Sequence, residues 1–310
     1  MRKLTILAAF LMIWTMGFSQ VYDIMLGEEE NAAEVVKNDY KELRMNYSYK
    51  GITSFNVKTE KGKFSEIAIP GHYYNGDIGS PKLPATKELI EIPFGAELQV
   101  EVISFDKQTY NLRDYGIDYK LMPNQPDVLK SQDPAAVEFH YNAEAYSKNS
   151  FTEVEMATVE PLGVMRGVRI ARLEINPVRY NPATDEIVVY NNIEVKVNFN
   201  NANITKTQEK KENTFSPYFE HVYNKLVNHR TDPDDYPDHP DLTSYPIKYL
   251  VVSDPMFEET LQPFLEWKTM QGFQLEVAYT DEIGDSYGEI QSWVHDQYNN
   301  SEVTPSFVLF

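Results

Sequence analysis

The 310-residue sequence contains no cysteine. This absence excludes disulfide bonds, thiolate metal ligands and a thiol nucleophile within these residues. Basic residues are also scarce: 28 lysines and arginines stand against 47 aspartates and glutamates, for a formal net charge of −19. No basic cluster offsets this charge, so nucleic acid and anionic membranes are not expected as partners.

Long apolar runs are absent except at the N-terminus. There, Leu4–Gly17 follows two basic residues, a pattern typical of an export signal. Small residues at the expected positions predict cleavage between Ser19 and Gln20. The run is shorter than the roughly 20 residues that a membrane-spanning helix needs. We therefore predict a signal peptide over residues 1–19 and a secreted or cell-surface protein with no transmembrane segment in its mature form.

The part of the chain up to about residue 200 is rich in strand patterns. Glu186–Phe199 alternates apolar and polar residues, as expected for a strand with one solvated face. Val168–Ile175 is a second apolar segment, and turn-forming residues lie between the two. We predict that these strands form a hairpin with a long loop, within an antiparallel sandwich or barrel-like domain.

A polar stretch over residues 200–213 and a helix over 217–227 are predicted after this domain. A segment dense in proline and aspartate follows, between Asn228 and Asp241, and cannot form a packed core. It marks the strongest domain boundary, with the linker placed at residues 231–246. Its acidic residues could bind a cation, but the interleaved prolines favour a solvated linker.

Beyond the linker the pattern becomes α/β. Buried strands are predicted over residues 248–253, 274–280 and 306–310, with helices between them. Asp254 and Pro255 suit the start of the first helix, in which Pro263 should produce a kink or two short helices. Right-handed crossovers make this βαβαβ order the first part of an open α/β sheet. Because the last run should be buried on both faces, we expect the chain to be the front part of a longer protein.

No complete active site is evident in the sequence. The turn after the strand at 248–253 has no glycine, which argues against a dinucleotide site. The histidines His72, His140 and His295 have no ligand partner at helical or hairpin spacing. No catalytic residue and no metal site is therefore assigned.

Several motifs resemble the gingipain family of cysteine peptidases. The match is carried by Gly79–Pro84, Arg166–Arg169, Asn176–Pro182 and Val189–Val195 in the first part, and by Tyr249–Phe310 in the second. The first four resemble the family's propeptide, and the last resembles the opening of its catalytic domain. The combination in this order is specific, whereas each short motif alone is not.

The resemblance implies a fold and an activity. Residues 20–230 would be a β-rich propeptide, and residues 247–310 the first βαβαβ part of a caspase-like catalytic domain. The family's catalytic His and Cys would then lie beyond Phe310, and the chain itself, without a thiol, should be inactive as a peptidase. No cofactor is expected within the chain, although the full-length family can bind calcium.

The resemblance also implies a partner and two functional positions. The family's propeptide inhibits its own catalytic domain with a basic loop residue, and Lys130 occupies that position here. A cation facing a pocket carboxylate would form a charge-assisted hydrogen bond. Release of the propeptide is expected between Arg230 and Thr231, and protein substrates are expected for the full-length enzyme. Two alternatives remain open at this point: a non-enzymatic cell-surface β-sandwich binding protein, and a stand-alone inhibitor.

Overall fold

The computed structural model describes residues 23–28, 30–133, 137–230 and 247–310. The predicted signal peptide at 1–19 and the predicted linker at 231–246 therefore lie outside the described residues. The described residues form an N-terminal β-rich unit, up to residue 230, and a C-terminal α/β unit, from residue 247.

The N-terminal unit contains twelve strands among the described residues. They are β1 (Ile24–Met25), β2 (Ala32–Asn38), β3 (Glu42–Ser48), β4 (Gly51–Thr59), β5 (Gly62–Ala68), β6 (Tyr73–Asn75), β7 (Leu83–Ile92), β8 (Glu97–Asn111), β9 (Ala157–Met165), β10 (Val168–Ile175), β11 (Val178–Asn181) and β12 (Glu186–Asn200).

Two antiparallel sheets pack together to form a sandwich. One has the strand order β6-β7-β10-β9, and the other has the order β11-β12-β3-β2, with β8 also paired to β12. A smaller sheet, β1-β4-β5, lies beside them. Buried side chains from both large sheets, such as Ile90, Leu173, Met45 and Val195, belong to one hydrophobic core. The predicted antiparallel sandwich is confirmed.

The alternation predicted for β12 is confirmed, but the predicted hairpin partner is wrong. Ile193, Val195 and Val197 are fully buried, while the residues between them are partly exposed. However, β12 pairs with β11, β3 and β8, whereas β10 pairs with β7 and β9 in the other sheet. The chain crosses between the two sheets at Asn176–Pro177, so the turn residues there end β10 instead of forming a hairpin with β12.

Helices are short in the N-terminal unit, and none of the described helices is long and apolar enough to span a bilayer. Residues 204–214, most of which lie in the predicted polar stretch, form a helix that Asn203 caps by accepting a hydrogen bond from the Lys206 N–H. The helix predicted over 217–227 is shorter than expected. The helical segments are a 3-10 turn at Leu112–Tyr115, α1 (Ala143–Ser147), α2 (Ile204–Thr214), a 3-10 turn at Pro217–Phe219 and α3 (Glu220–Tyr223).

The C-terminal unit is a parallel sheet of order β14-β13-β15, with β13 (Ile247–Ser253) between β14 (Phe273–Tyr279) and β15 (Phe307–Leu309). This confirms the predicted βαβαβ arrangement. Asp254 accepts a hydrogen bond from the Met256 N–H and so starts the first helical segment, as predicted. The helical segments are a 3-10 turn at Pro255–Phe257, α4 (Glu258–Met270), α5 (Thr280–Ile283) and α6 (Tyr287–Asn300).

Two details of the C-terminal unit differ from the prediction. Of the two outcomes expected at Pro263, a kink or two short helices, the division is not observed, since helix α4 runs through Pro263 as one continuous helix. Strand β15 pairs with β13 on one side only among the described residues, and its Val308 is 41% exposed. The described residues therefore do not cover both faces of this strand, as the prediction requires.

A side-chain amide joins two strands where regular pairing fails. The pairing of β12 with β8 shifts register after Asn191, and Asn192 has a positive φ of 47°. At this bulge Asn191 Oδ1 accepts a hydrogen bond from the Tyr49 N–H at 2.8 Å, and Asn191 Nδ2 donates to the Tyr49 carbonyl at 3.0 Å. The side-chain amide of Asn191 thus takes the place of a backbone peptide group and provides hydrogen-bond partners for both backbone groups of the buried Tyr49.

The substitution Asn191→Ala should lower the free energy of unfolding by about 2–5 kcal/mol, because it leaves two backbone groups of Tyr49 without partners. Chemical denaturation of the chain measures this change. Asn198→Ala is the matched control on the same strand, since its amide contacts only the half-exposed Glu101 carboxylate. It should cost less than about 1 kcal/mol. Equal losses for the two variants would contradict the role of Asn191.

Candidate functional site

The loop that carries Lys130 leaves the sandwich through a fixed neck. Gln125 Nε2 donates to the His140 carbonyl at 2.9 Å, and the His140 N–H donates to Gln125 Oε1 at 3.0 Å. Just before this pair, Asn124 exchanges backbone hydrogen bonds with Ser80 and Gly79. The two ends of the loop are therefore held together and attached to the domain. Residues 134–136, within the loop, lie outside the described residues.

Lys130 lies in a tight turn at the outer part of this loop. The Leu129 N–H donates to Gln132 Oε1 at 2.9 Å, and the Gln132 N–H donates to the Leu129 carbonyl at 2.9 Å. These two bonds close a turn with Lys130 and Ser131 at its centre. Leu129 is 65% exposed, and Lys130 is exposed without a hydrogen bond or ion pair to any described residue. Its ammonium group is thus available to an external partner.

A buried carboxylate fixes the point at which the chain enters the loop. Asp185 Oδ1 accepts a hydrogen bond from Lys120 Nζ at 2.6 Å, and Asp185 Oδ2 accepts one from Arg113 Nη2 at 2.7 Å. The Tyr180 hydroxyl donates to the same carboxylate at 3.0 Å. Burial alone would raise the pKa of Asp185, but the hydrogen bonds from Lys120, Arg113 and Tyr180 outweigh burial and lower it. Leu121, which directly follows Lys120, is also held, since its carbonyl accepts a hydrogen bond from the Tyr146 hydroxyl at 2.6 Å.

Arg230 is the last described residue before the gap, and it is attached to the sandwich. Its guanidinium donates to Asn38 Oδ1 at 2.9 Å and lies 4.6 Å from the centre of the Tyr40 ring. Its carbonyl accepts a hydrogen bond from Lys211 Nζ at 2.7 Å. Arg230 is therefore half-buried, because the end of strand β2 and helix α2 supply partners for its side chain and its backbone.

The residues before Arg230 are bound to strand β7 through Glu91. The Glu91 side chain is 8% exposed, and it contacts Lys211 Nζ at 2.9 Å and His229 Nδ1 at 2.7 Å. The Asn228 amide makes two further hydrogen bonds with the Glu91 backbone, at 2.7 and 2.9 Å. Burial raises the pKa of Glu91, but the contacts with His229 and Lys211 outweigh it, so the net pKa lies below its ordinary value. We call Glu91, Lys211, Asn228 and His229 the Glu91 cluster.

Sequence reasoning missed the Glu91 cluster. Asn228 and His229 stand at the edge of the proline- and aspartate-rich segment, so their sequence context indicates that they belong to this segment and not to the packed domain. Nothing in the local pattern links them to Glu91, which lies 137 residues away from Asn228 in the chain. Only the docking of this segment on β7 brings them together.

The other predicted positions give no second site. Ser19, Gln20 and Thr231 lie outside the described residues. His140 contributes to the loop neck through its backbone, and His72 contacts Thr86 and Tyr49 within the sandwich. Across the described ranges, no group of three or more His, Cys, Asp or Glu side chains could hold a metal ion.

Comparison with protein families assigns both units. The model Propeptide_C25 matches residues 33–225, and the model of Peptidase family C25 matches residues 242–310. These matches give no support to the alternative of a non-enzymatic binding protein.

Two curated relatives come from Porphyromonas gingivalis. Lys-gingipain is 41% identical over 312 aligned residues, which cover the whole of this chain and 18% of that protein. Gingipain R1 is 23% identical over 299 residues, which cover 95% of this chain and 28% of that protein. The chain thus spans about a fifth of the length of the Lys-gingipain that it matches.

Two solved structures resemble the fold. One, described as structural insight into zymogenic latency of gingipain K from Porphyromonas gingivalis, has a TM-score of 0.55 and 42% identity, and covers 58% of this chain and 98% of its own. The other, a complex of Porphyromonas gingivalis RgpB pro- and mature domains, has a TM-score of 0.51. At 21% identity it supports the fold alone.

The substitution Glu91→Gln should destabilise the N-terminal unit, because it leaves the Lys211 ammonium buried without a carboxylate. Breaking a buried ion pair in this way costs about 3–5 kcal/mol, measurable by chemical denaturation at neutral pH. Glu160→Gln removes an ion pair with Arg172 on the surface and is the control. It should cost less than about 1 kcal/mol.

The effect should also depend on pH. Since folding lowers the pKa of Glu91, its contribution is present above the unfolded-state pKa of about 4.3 and is lost as the pH falls through the folded-state value. The difference between the wild type and Glu91→Gln should therefore shrink in acid. A difference that stays constant from pH 7 down to about pH 3 would contradict the ionised state of Glu91.

Proposed function

The chain belongs to peptidase family C25, as a C25 propeptide followed by the beginning of the peptidase domain, and we propose that it confers latency on an exported cysteine endopeptidase. Residues 20–230 would form the propeptide, and Lys130 would enter the substrate pocket of the enzyme. The observation that supports this role most directly is that Lys130, in the outer part of a loop with an anchored neck, is exposed and has no hydrogen bond or ion pair with the described residues.

A fixed loop suits inhibition better than a flexible one. A flexible segment loses conformational freedom on binding, and this loss reduces its affinity. Here the Gln125–His140 pair and the Asp185 contacts hold the loop's base, so less freedom is lost. The Lys130 ammonium would meet a carboxylate of the pocket in a charge-assisted hydrogen bond. Lysine acts as a point charge without the fork of arginine, so a lysine-accepting pocket fits it best.

We also propose that the propeptide is released by cleavage between Arg230 and Thr231. Arg230 must first leave Asn38 and Tyr40, because a peptidase pocket needs its side chain. The Glu91 cluster holds the adjoining backbone, so cleavage would follow a local opening of this segment. The rate of release would then depend on the stability of the Glu91 cluster.

The activity of the full-length protein is part of the proposal. The thiol nucleophile, the catalytic His, the protein-substrate pocket and any calcium site would be supplied by the rest of the peptidase domain, since this chain has no cysteine. Export would use the signal peptide at residues 1–19, with cleavage between Ser19 and Gln20. The peptidase domain itself would be the propeptide's partner, in agreement with the contacts between the two units.

Replacing Lys130 by alanine should weaken inhibition of the mature enzyme by roughly tenfold to a hundredfold, because one charge-assisted hydrogen bond is lost. The inhibition constant of the propeptide, measured against the mature enzyme with a lysine-containing peptide substrate, tests this expectation. Lys148→Ala, at another exposed lysine, should leave inhibition unchanged. Inhibition by Lys130→Ala as tight as that of the wild type would rule out the assigned role.

Replacing Arg230 by glutamine should slow maturation of the precursor, since the basic residue before the scissile bond is lost. Immunoblotting would follow the loss of the precursor band. N-terminal sequencing of the mature enzyme should show that its first residue is Thr231. Arg179→Gln, at another partly buried arginine, is the control. A mature enzyme that starts before about residue 200 would place the cleavage elsewhere.

A further inference from the structure

The turn between β9 and β10 has an unusual residue in a demanding conformation. Arg166 has a φ of 44° and Gly167 a φ of 80°, so both central residues of this two-residue hairpin are left-handed. Such turns favour Asn, Asp or Gly at the first position, because other side chains are strained there. An arginine in that position indicates that its side chain makes interactions whose free energy offsets the strain.

The backbone of the turn is held in place from the N-terminal unit itself. The Arg166 carbonyl accepts hydrogen bonds from Thr214 Oγ1 at 2.7 Å and from the Tyr223 hydroxyl at 3.1 Å. A Cβ atom on Gly167 would lie 2.1 Å from Thr214 Oγ1, so no larger residue fits beside it. Contacts within the N-terminal unit therefore support the backbone conformation of the turn.

The Arg166 side chain reaches the C-terminal unit. Its guanidinium donates to three acceptors in the segment that leads into β15, and it is also 4.8 Å from the centre of the Phe219 ring of the N-terminal unit. The acceptors are the carbonyl of Pro305, the carbonyl of Thr304 at 3.2 Å and the hydroxyl of Ser306 at 3.1 Å.

Neighbouring residues extend this contact. Thr304 Oγ1 donates to the Asn213 carbonyl at 2.8 Å. The Tyr218 ring lies edge-on to Phe307 at 4.9 Å and is stacked on Phe273 at 6.2 Å. Arginine and tyrosine are residue types that concentrate binding energy at interfaces. The contact therefore combines directed hydrogen bonds with an aromatic surface.

The position of this contact separates it from the Lys130 loop. It touches the amino ends of β14 and β15, whereas α/β sheets carry their sites at the carboxyl ends of the strands. Arg166 also lies at the start of β10, while Asn176, just after its end, contacts Asn75 near the loop neck. Eight residues of strand span about 26 Å, so the two features lie at opposite ends of the sandwich.

We propose that the Arg166 turn, together with Tyr218, is a dedicated docking surface for the amino end of the third strand of the peptidase domain. It holds the peptidase domain to the propeptide independently of Lys130. The proposal rests on the proposed function only in that its partner is the peptidase domain. It assigns a binding role to the Arg166–Arg169 motif, which the inhibitory loop does not use.

Amide hydrogen exchange in the full-length precursor tests this docking. Asn tolerates positive φ, so Arg166→Asn keeps the hairpin folded while it removes the guanidinium. Exchange at residues 304–309 should become about tenfold faster or more, the factor expected for loss of a charge-assisted hydrogen bond. Arg172→Asn is the matched control on β10, since Arg172 pairs only with Glu160 at the surface, and it should leave this exchange unchanged.

A second variant distinguishes the loss of docking from misfolding of the hairpin. Tyr218→Ala leaves the turn untouched and should also speed exchange at residues 304–309. Unchanged exchange in both Arg166→Asn and Tyr218→Ala would overturn the proposal. Lys130→Ala should release inhibition without altering this exchange. If Lys130→Ala instead left inhibition intact while Arg166→Asn sped exchange, the inhibitory role of Lys130 would fail and the docking surface would stand.

Discussion

Strand β10 holds the features of the propeptide at fixed positions relative to one another. It lies between β7 and β9, and alternate side chains, including Leu173 and Ile175, are buried in the core shared by the two sheets. Arg166 precedes the strand and the region around the neck of the Lys130 loop lies beyond its end. Neither end can shift along the strand without exposing that core, because a change of register moves every side chain to the other face. The core thus sets the distance between the Lys130 loop and the Arg166 turn.

Two buried carboxylates connect this core to segments at its surface. Asp185 holds Lys120, at the base of the Lys130 loop, and Glu91 holds His229 and Lys211, beside Arg230. A buried charge without a partner is costly, so each carboxylate favours the closed conformation in which these contacts are made. The same kind of contact therefore orders both the base of the Lys130 loop and the segment that ends at Arg230. Since both contacts depend on ionised carboxylates, acid would loosen both.

Local patterns in the sequence predicted elements better than their partners. The alternation in β12 identified its buried face, and Asp254 with Pro255 identified the start of the first helical segment after β13. The predicted pairing of β10 with β12 was wrong, because periodicity specifies the face of a strand and not its neighbour. Helix α2 was missed since its sequence is mostly polar, and its cap at Asn203 gave the only local signal.

The amino-acid sequence alone showed the order of the two units, the strand periodicities, the absence of a thiol and the family motifs around Arg166, Asn176 and Tyr249. Through the resemblance to that family it also predicted roles for Lys130 and Arg230. The tertiary structure decided which residues support these two positions: Asp185 holds Lys120 at the base of the Lys130 loop, and Glu91 holds the residues beside Arg230. It also decided which groups accept hydrogen bonds from Arg166. These groups meet only because hydrophobic burial brings the strands together, and no local pattern encodes contacts between residues that stand 65 to 140 positions apart.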